Sequence, residues 1–323
     1  MSRFLPWLLL VPAIALAQAP QPAESELLLY TSLVPEDLTR LAEAFERRHG
    51  VKLKTWRANS EKVLQRAVAE ARAGRFEVDV VETNGPQLEA LYREDALQPL
   101  RSPHLKDLMT QALRPHGHWV GTRINMFVQS YNTNLVKKEE LPKSWAELAD
   151  PRWKGRLGIE AEDEDWFAMV IKGLGEENGL RLFRDIARAN GLSVRRGHTL
   201  LAGLVASGEI PLALTTYSHG TEKMKQKGAP VEWFAIAPAI GRANGVGIVR
   251  KPPHPRAAAL FVDFLLSPEG QVILQKGGYV PANLRVPDPA QKLALVFVDP
   301  AVTLDEGAKW KKLWAEIVLG PAR

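Results

Sequence analysis

The sequence predicts an α/β protein whose strands form largely parallel sheets in two successive regions. Three observations lead there. Strand and helix patterns alternate from residue 26 to the helix opened by Pro86, residues 132–236 repeat the alternation with an apolar core of their own, and 323 residues suffice for two bodies of ordinary size.

The elements follow in order. "ELLLYTS", residues 26–32, is a short apolar run of the kind a buried strand shows. "PEDLTRLAEAFERRHG" then reads as a helix. Pro35 sits at its first position, acidic residues fill the first turn, Leu38, Leu41, Ala42 and Phe45 share a face, and Gly50 stops it. "VKLKTW" alternates like a strand, Ser60 caps a helix through Ala73, and "FEVDVVETNG" is a third strand. In the middle region Ser144 and Glu147 have capping-box spacing, and "RLGIE" is a strand. "AEDEDWFAMVIKGLG" and "GLRLFRDIARANG" are helices, Thr199 caps "LLAGLVASG", and "IPLALTTY" is a buried strand. "NGVGIVR" and "PRAAALFVDFLLS" resume strand and helix, and Ser267-Pro268 opens one more helix. Ligands on such sheets sit beyond the carboxyl ends of strands. That singles out the loops at Thr31–Ser32, Asn59–Ser60 and Glu82–Asn84.

Composition narrows the function. Hydrophobic residues at 46% and charged residues at 24% are globular proportions. The net charge of +5 is carried by scattered Lys and Arg, with no basic stripe or aromatic platform for nucleic acid. The N-terminus reads as a secretory signal: Arg3, an apolar run over residues 5–16, and Ala15-Leu16-Ala17 before Gln18. That run is too short to span a bilayer. The chain contains no cysteine, which excludes a disulfide framework, a thiolate metal site, a cysteine nucleophile and a lipid-modified cysteine. The expectation is an exported periplasmic protein, cleaved after Ala17, with no membrane anchor. Enzyme signatures are missing: there is no G-x-S-x-G, H-E-x-x-H or Walker A sequence, and adjacent Ser218 and His219 on an extended chain point to opposite faces.

Several stretches together resemble the periplasmic solute-binding proteins of ABC importers, specifically the group that includes the ferric-binding proteins. They are "LLLYTS", "HGVKLKTW", "EVDVVETNG", "HGHWVGTRINMFVQSYNTNLV", "LADPRWKGRLGIE", "GHTLLAGLVASGEIPLAL", "NGVGIVRKPPHPRAAALFVDFLLSPEGQVIL" and "GGYVPA", in the family's order. The resemblance implies the two-lobed periplasmic-binding-protein fold, hinged by crossing strands near residues 126–131 and 233–237. Lobe I would comprise residues 18–130 and 238–323, and lobe II residues 131–237. It further implies a monomer that captures a solute between its lobes and docks on an inner-membrane permease. A subunit that reports to a membrane sensor would have the same fold.

The ferric group usually holds iron with tandem tyrosines where this chain has Tyr217 followed by Ser218; its acidic ligand falls near Asn84 and its histidine near Val34. One phenolate supplies a hard trivalent cation poorly, so a small organic or phosphorylated anion, alone or chelating a metal, stands beside iron as the transported ligand. No resident cofactor is called for. Tyr217 is either a metal or hydrogen-bonding ligand or a core-edge residue with its hydroxyl in water, and His219 a ligand or a surface histidine. His198 and Thr199 open a helix whose free N–H groups suit an anion. The acidic run Glu160, Glu162, Asp163, Glu164 and Asp165 is a solvated helix start, or else carboxylates such as Asp163 line the cleft with Trp166 as a flat wall. Asn84 and Asn125 are neutral hydrogen-bonders, Arg123 can pair with an anion, and Thr31 and Ser32 complete the expected set.

Overall fold

Backbone chemistry sets the first boundaries. Pro35 begins the first helix, where a missing N–H costs nothing. Gly50 ends it at φ 66°, a left-handed conformation that suits glycine, and donates its N–H to the Glu46 carbonyl at 2.9 Å. The computed structural model describes residues 24–320, so the expected signal over residues 1–17 lies outside the described residues. The first half runs β1 (Glu26–Thr31), α1 (Pro35–His49), β2 (Lys52–Arg57), α2 (Ser60–Arg72), β3 (Val80–Asn84), α3 (Gly85–Arg93) and β4 (Val120–Asn132). The middle adds β5 (Leu157–Glu160), α4 (Glu164–Gly173), α5 (Glu176–Asn190), β6 (Ser193–Arg195), α6 (His198–Ser207), β7 (Leu212–Tyr217), α7 (Ser218–Gln226) and β8 (Val231–Phe234). The chain closes with β9 (Ala239–Ile248), α8 (Pro255–Leu266), α9 (Pro268–Lys276), β10 (Val280–Pro281), β11 (Leu295–Phe297), α10 (Pro300–Asp305) and α11 (Gly307–Trp314).

The main strand order is β2-β1-β3-β9-β4-β7-β5-β6. β1, β2 and β3 are parallel, as are β5, β6 and β7. The two strands between these groups, β9 and β4, run antiparallel to their neighbours. β4 serves both halves: residues 120–126 pair with β9, while residues 127–132 pair with β7 and β8.

Side-chain alternation along a strand feeds two faces. Leu27, Leu29 and Val80 join a core with Phe45, Phe261 and Leu265, whereas Tyr30 and Val81 join one with Leu88 and Trp119. In the second half, Leu212 and Leu214 join an aromatic core with Trp145, Trp166, Phe167 and Phe183, and Ala213 faces Leu201 and Val205. The α/β layering is therefore built twice.

The C-terminal helices touch both halves. α10 is pinned to α3 by Arg93 and Asp305 at 2.5 Å. Trp314 of α11 meets Phe167 edge-on, with centroids 5.3 Å apart. Lys172 pairs with Glu306 at 2.9 Å, and Lys309 with Glu176 at 2.7 Å.

Several caps differ from expectation. Ser60 is the first residue of α2, and Asn59 caps it by accepting the Lys62 N–H. Ser144 precedes a short 3-10 helix, Trp145–Ala149. α6 starts one residue before Thr199, with Gly197 at the cap. Ser267 caps α9 as expected. Among the described residues, no single helix is long and apolar enough to cross a membrane.

Candidate ligand cleft at the shared strand

Strand register brings the carboxyl ends of both parallel groups to one place. Asn84, the last residue of β3, lies opposite Asn244 of β9, which lies opposite Arg123 of β4. Arg242 lies opposite Asn125, and Phe127 lies opposite Tyr217, the last residue of β7. The end of β3, one strand away across β9, and the end of β7 thus both lie at the stretch of β4 between Arg123 and Phe127, roughly 14 Å at about 3.4 Å per residue. This is where a sheet of this class offers a ligand its loops and helix N-termini.

A column of rings crosses this seam. His198 stacks on Tyr217 at 3.9 Å between centroids and 14° between planes. His219 lies on the same tyrosine at 5.4 Å and 15°. His219 also meets Tyr279 at 4.4 Å, and the Arg123 guanidinium lies 4.8 Å from the centre of that ring. Burial pushes the Tyr217 and Tyr279 phenols up, so both stay protonated. Burial, with help from Lys223 and Arg123, pushes the His219 imidazole down to about 3, so it is neutral.

Charged groups surround the column. Arg242 donates through Nη1 to Asp165 at 2.7 Å and through Nη2 to the Tyr217 hydroxyl. Burial opposes the Arg242 charge, but Asp165 and Tyr217 hold the guanidinium above its ordinary range. Arg123 pairs with Glu82, whose carboxylate also accepts the Thr31 hydroxyl at 2.5 Å. Lys223 of α7 reaches the buried Asp37 of α1 at 3.1 Å and so links the two halves. On the α4 side, Glu160, Asp163 and His198 bring donor atoms within 4.8 Å of one another, a spacing that can hold a metal ion. Burial, then the neighbouring Asp163, pushes the Glu160 carboxyl up.

Six buried polar atoms around the seam lack partners: Arg123 Nε, Asn125 Oδ1, Asp163 Oδ1, His219 Nδ1, Arg242 Nε and Asn244 Oδ1. Buried polar atoms are normally satisfied, so a cluster of such exceptions marks a place built to meet something polar.

The family model described as "Bacterial extracellular solute-binding protein" matches residues 78–299. The chain belongs to this family. Iron uptake protein A1 of Synechocystis is 29% identical to this solute-binding protein over 278 residues, covering 79% of this chain and 75% of that one. The Fe(3+)-binding periplasmic protein of Serratia marcescens is 22% identical over 282 residues, covering 84% and 82%. Iron-bound HitA from Pseudomonas aeruginosa superposes with a TM-score of 0.79 at 24% identity, over 90% of this chain and 99% of that one. AfuA from Actinobacillus pleuropneumoniae, with fructose-6-phosphate bound, gives 0.78 at 23% identity, over 91% and 98%. The structural likeness establishes the periplasmic-binding-protein fold.

Within this solute-binding protein, the structure gathers Asn84, Asn125, Asp163, His198 and Tyr217 around the seam. Asn84 accepts from Asn244 at 2.7 Å, and Asp163 faces His198 at 3.1 Å. Thr31 is fully buried and braces Glu82, while the Ser32 N–H donates to the Glu82 carbonyl at 3.1 Å. Thr199 is exposed. Trp166 is not a cleft wall. It sits with Phe167, Val170 and Ile171 on the inward face of α4, 1% exposed and 5.4 Å from the Trp145 ring. The acidic run divides: Glu160 and Asp163 are buried, Asp165 serves Arg242, and Glu162 faces solvent with Arg196.

Sequence reasoning missed Arg242, Asp37, Lys223 and Tyr279. An arginine inside the mostly small and apolar "AIGRANGVGI" strand was the available signal for the first. Asp37 looked like an ordinary first-turn acid, and only its contact with α7 sets it apart.

Proposed function

We propose that this solute-binding protein is the periplasmic receptor of an ABC importer and that it carries iron(III) together with a small oxyanion. It holds the solute between lobe I (residues 18–130 and 238–323) and lobe II (residues 131–237), works as a monomer and hands the solute to an inner-membrane permease without altering it. The contact that carries this reading is Arg242 donating to the Tyr217 hydroxyl where the ends of β3 and β7 converge. A phenol there offers one oxygen to a hard cation, and the adjacent guanidinium both supports a phenolate and attracts an anion. Ser218 contributes no second phenolate, so the remaining anionic oxygens come from the accompanying anion. The named ligands of the sequence relatives, iron uptake and Fe(3+) binding, support the same choice.

A second reading is an organic or phosphorylated anion without iron. The neutral amides of Asn84, Asn125 and Asn244 and the unpaired Nε atoms of Arg123 and Arg242 favour it. Native mass spectrometry with elemental analysis, on protein taken from a periplasmic extract without refolding, decides. The expected species begins at Gln18 and carries one iron and one small anion. An organic anion with no iron selects the second reading. A mass that includes residues 1–17 removes the periplasmic assignment.

A further inference from the structure

We propose that Glu160, Asp163 and His198 form a site for a divalent first-row transition-metal cation beside the cleft, distinct from any metal held by Tyr217. The three residues come from separate elements: Glu160 ends β5, Asp163 precedes α4 and His198 begins α6. Their donor atoms lie within 4.8 Å of one another. Two carboxylates and one imidazole can supply the two negative charges that neutralise a divalent ion, and they leave coordination positions open for solvent or for an oxygen of the solute.

The surroundings argue for a cation more strongly than the donor count does. Glu160 is 3% exposed and Asp163 1% exposed. Among the described residues, no Lys or Arg nitrogen stands within 4 Å of either carboxylate. Arg242 is committed to Asp165 and Tyr217, and Arg196 to the exposed Glu162. Buried carboxylates are ordinarily paired with a cation or bound to a metal. Asp163 Oδ1 is buried and accepts no hydrogen bond, while Oδ2 faces the His198 Nε2 at 3.1 Å.

The donors are also held in place. Glu160 accepts the Gly197 N–H at 2.7 Å and the Glu162 N–H at 2.5 Å, one on each oxygen. The His198 ring is fixed by its 3.9 Å stack on Tyr217. Outer contacts of this kind orient metal ligands. Mixed carboxylate and imidazole donors suit zinc or manganese better than calcium or magnesium.

The test is calorimetric titration of chelator-stripped mature protein with Zn2+ and with Mn2+, with neither iron nor an organic anion present. Its outcome therefore stands whichever way the mass spectrum falls. One site per chain is expected, with a melting midpoint that rises with Zn2+ concentration. Asp163→Asn and His198→Gln should each weaken binding at least ten-fold, while Glu162→Gln, in the same acidic run, should leave it within two-fold. Circular dichroism shows which variants keep the fold, and either of the first two suffices. Absence of binding tighter than millimolar overturns the proposal. So does binding that Glu162→Gln weakens as much as Asp163→Asn does, since that would be diffuse attraction to an acidic surface.

Discussion

Tyr217→Phe removes one oxygen and leaves the ring column standing. The phenyl ring can still stack between His198 and His219 and pack against Phe127, whose centroid lies 5.1 Å from that of Tyr217. What is lost is the acceptor for Arg242 Nη2. Arg242 already has one unpaired nitrogen, Nε, and keeps only Asp165 at 2.7 Å on Nη1. Stranding a buried donor costs about 1–3 kcal/mol. At about 2–4 °C per kcal/mol for chains near this size, the melting midpoint should fall by several degrees. The same oxygen is the atom this residue offers a solute, so affinity for iron(III) with its accompanying anion should drop by about 5- to 150-fold. Scanning calorimetry reads the first effect and isothermal titration the second. An unchanged midpoint together with unchanged affinity would refute the role given to the Tyr217–Arg242 pair. A fall in midpoint with affinity intact would confine that role to stability.

Two further outcomes can be checked directly. Lys223→Met removes the link from α7 to Asp37, which keeps Arg40 at 2.6 Å and the Tyr279 hydroxyl as partners. With the lysine partly exposed, the loss should be about 1 kcal/mol, or roughly a five-fold shift toward separated lobes. X-ray scattering of the ligand-free protein should show a larger radius of gyration, and an identical curve would mean that the pair does not hold the lobes together. His219 is neutral in the folded protein, held so by burial and by Lys223, Arg123 and His198 around it. The unfolded chain binds that proton more readily, so this residue's contribution is present above about pH 6.5 and is lost as pH falls toward about 3. His219→Gln should flatten the decline in melting midpoint across that window; a parallel decline in both proteins would assign it to other groups.

β1, β3, β5 and β7 were legible in the sequence because each is a short apolar run, while the long and partly polar β4 was not, and α1 was legible to the residue because Pro35 and Gly50 bracket it. Helix starts were harder, because neighbouring polar residues compete for the same cap. Asn59 takes the role over Ser60, and Gly197 begins α6 with no side-chain cap at all. Trp166 misled for a related reason. A tryptophan beside five acids looks solvent-facing, yet helical spacing turns it inward while the carboxylates flank it. Tyr217 and His198 could be proposed because they end or begin elements in one parallel group. Arg242 offered only its odd place in a mostly apolar strand, and Tyr279 and Lys223 offered no signal, because their partners are distant in sequence and meet them only through the β4–β9 register and the contact between α7 and α1.

The helices after β11 make a different point about motion. β4 and the connection from β8 to β9 both pass between the halves, and in the proposed hinged receptor two such crossings define a line of swing while also permitting twisting about each. α10 is fastened to α3 on one half and α11 to α4 and α5 on the other, within a single short run of chain. A third tether displaced from the first two removes the twisting freedom and leaves one rotation. If the protein closes on a solute as proposed, the same rings face each other at every closure, and the scaffold sets the geometry before the solute arrives.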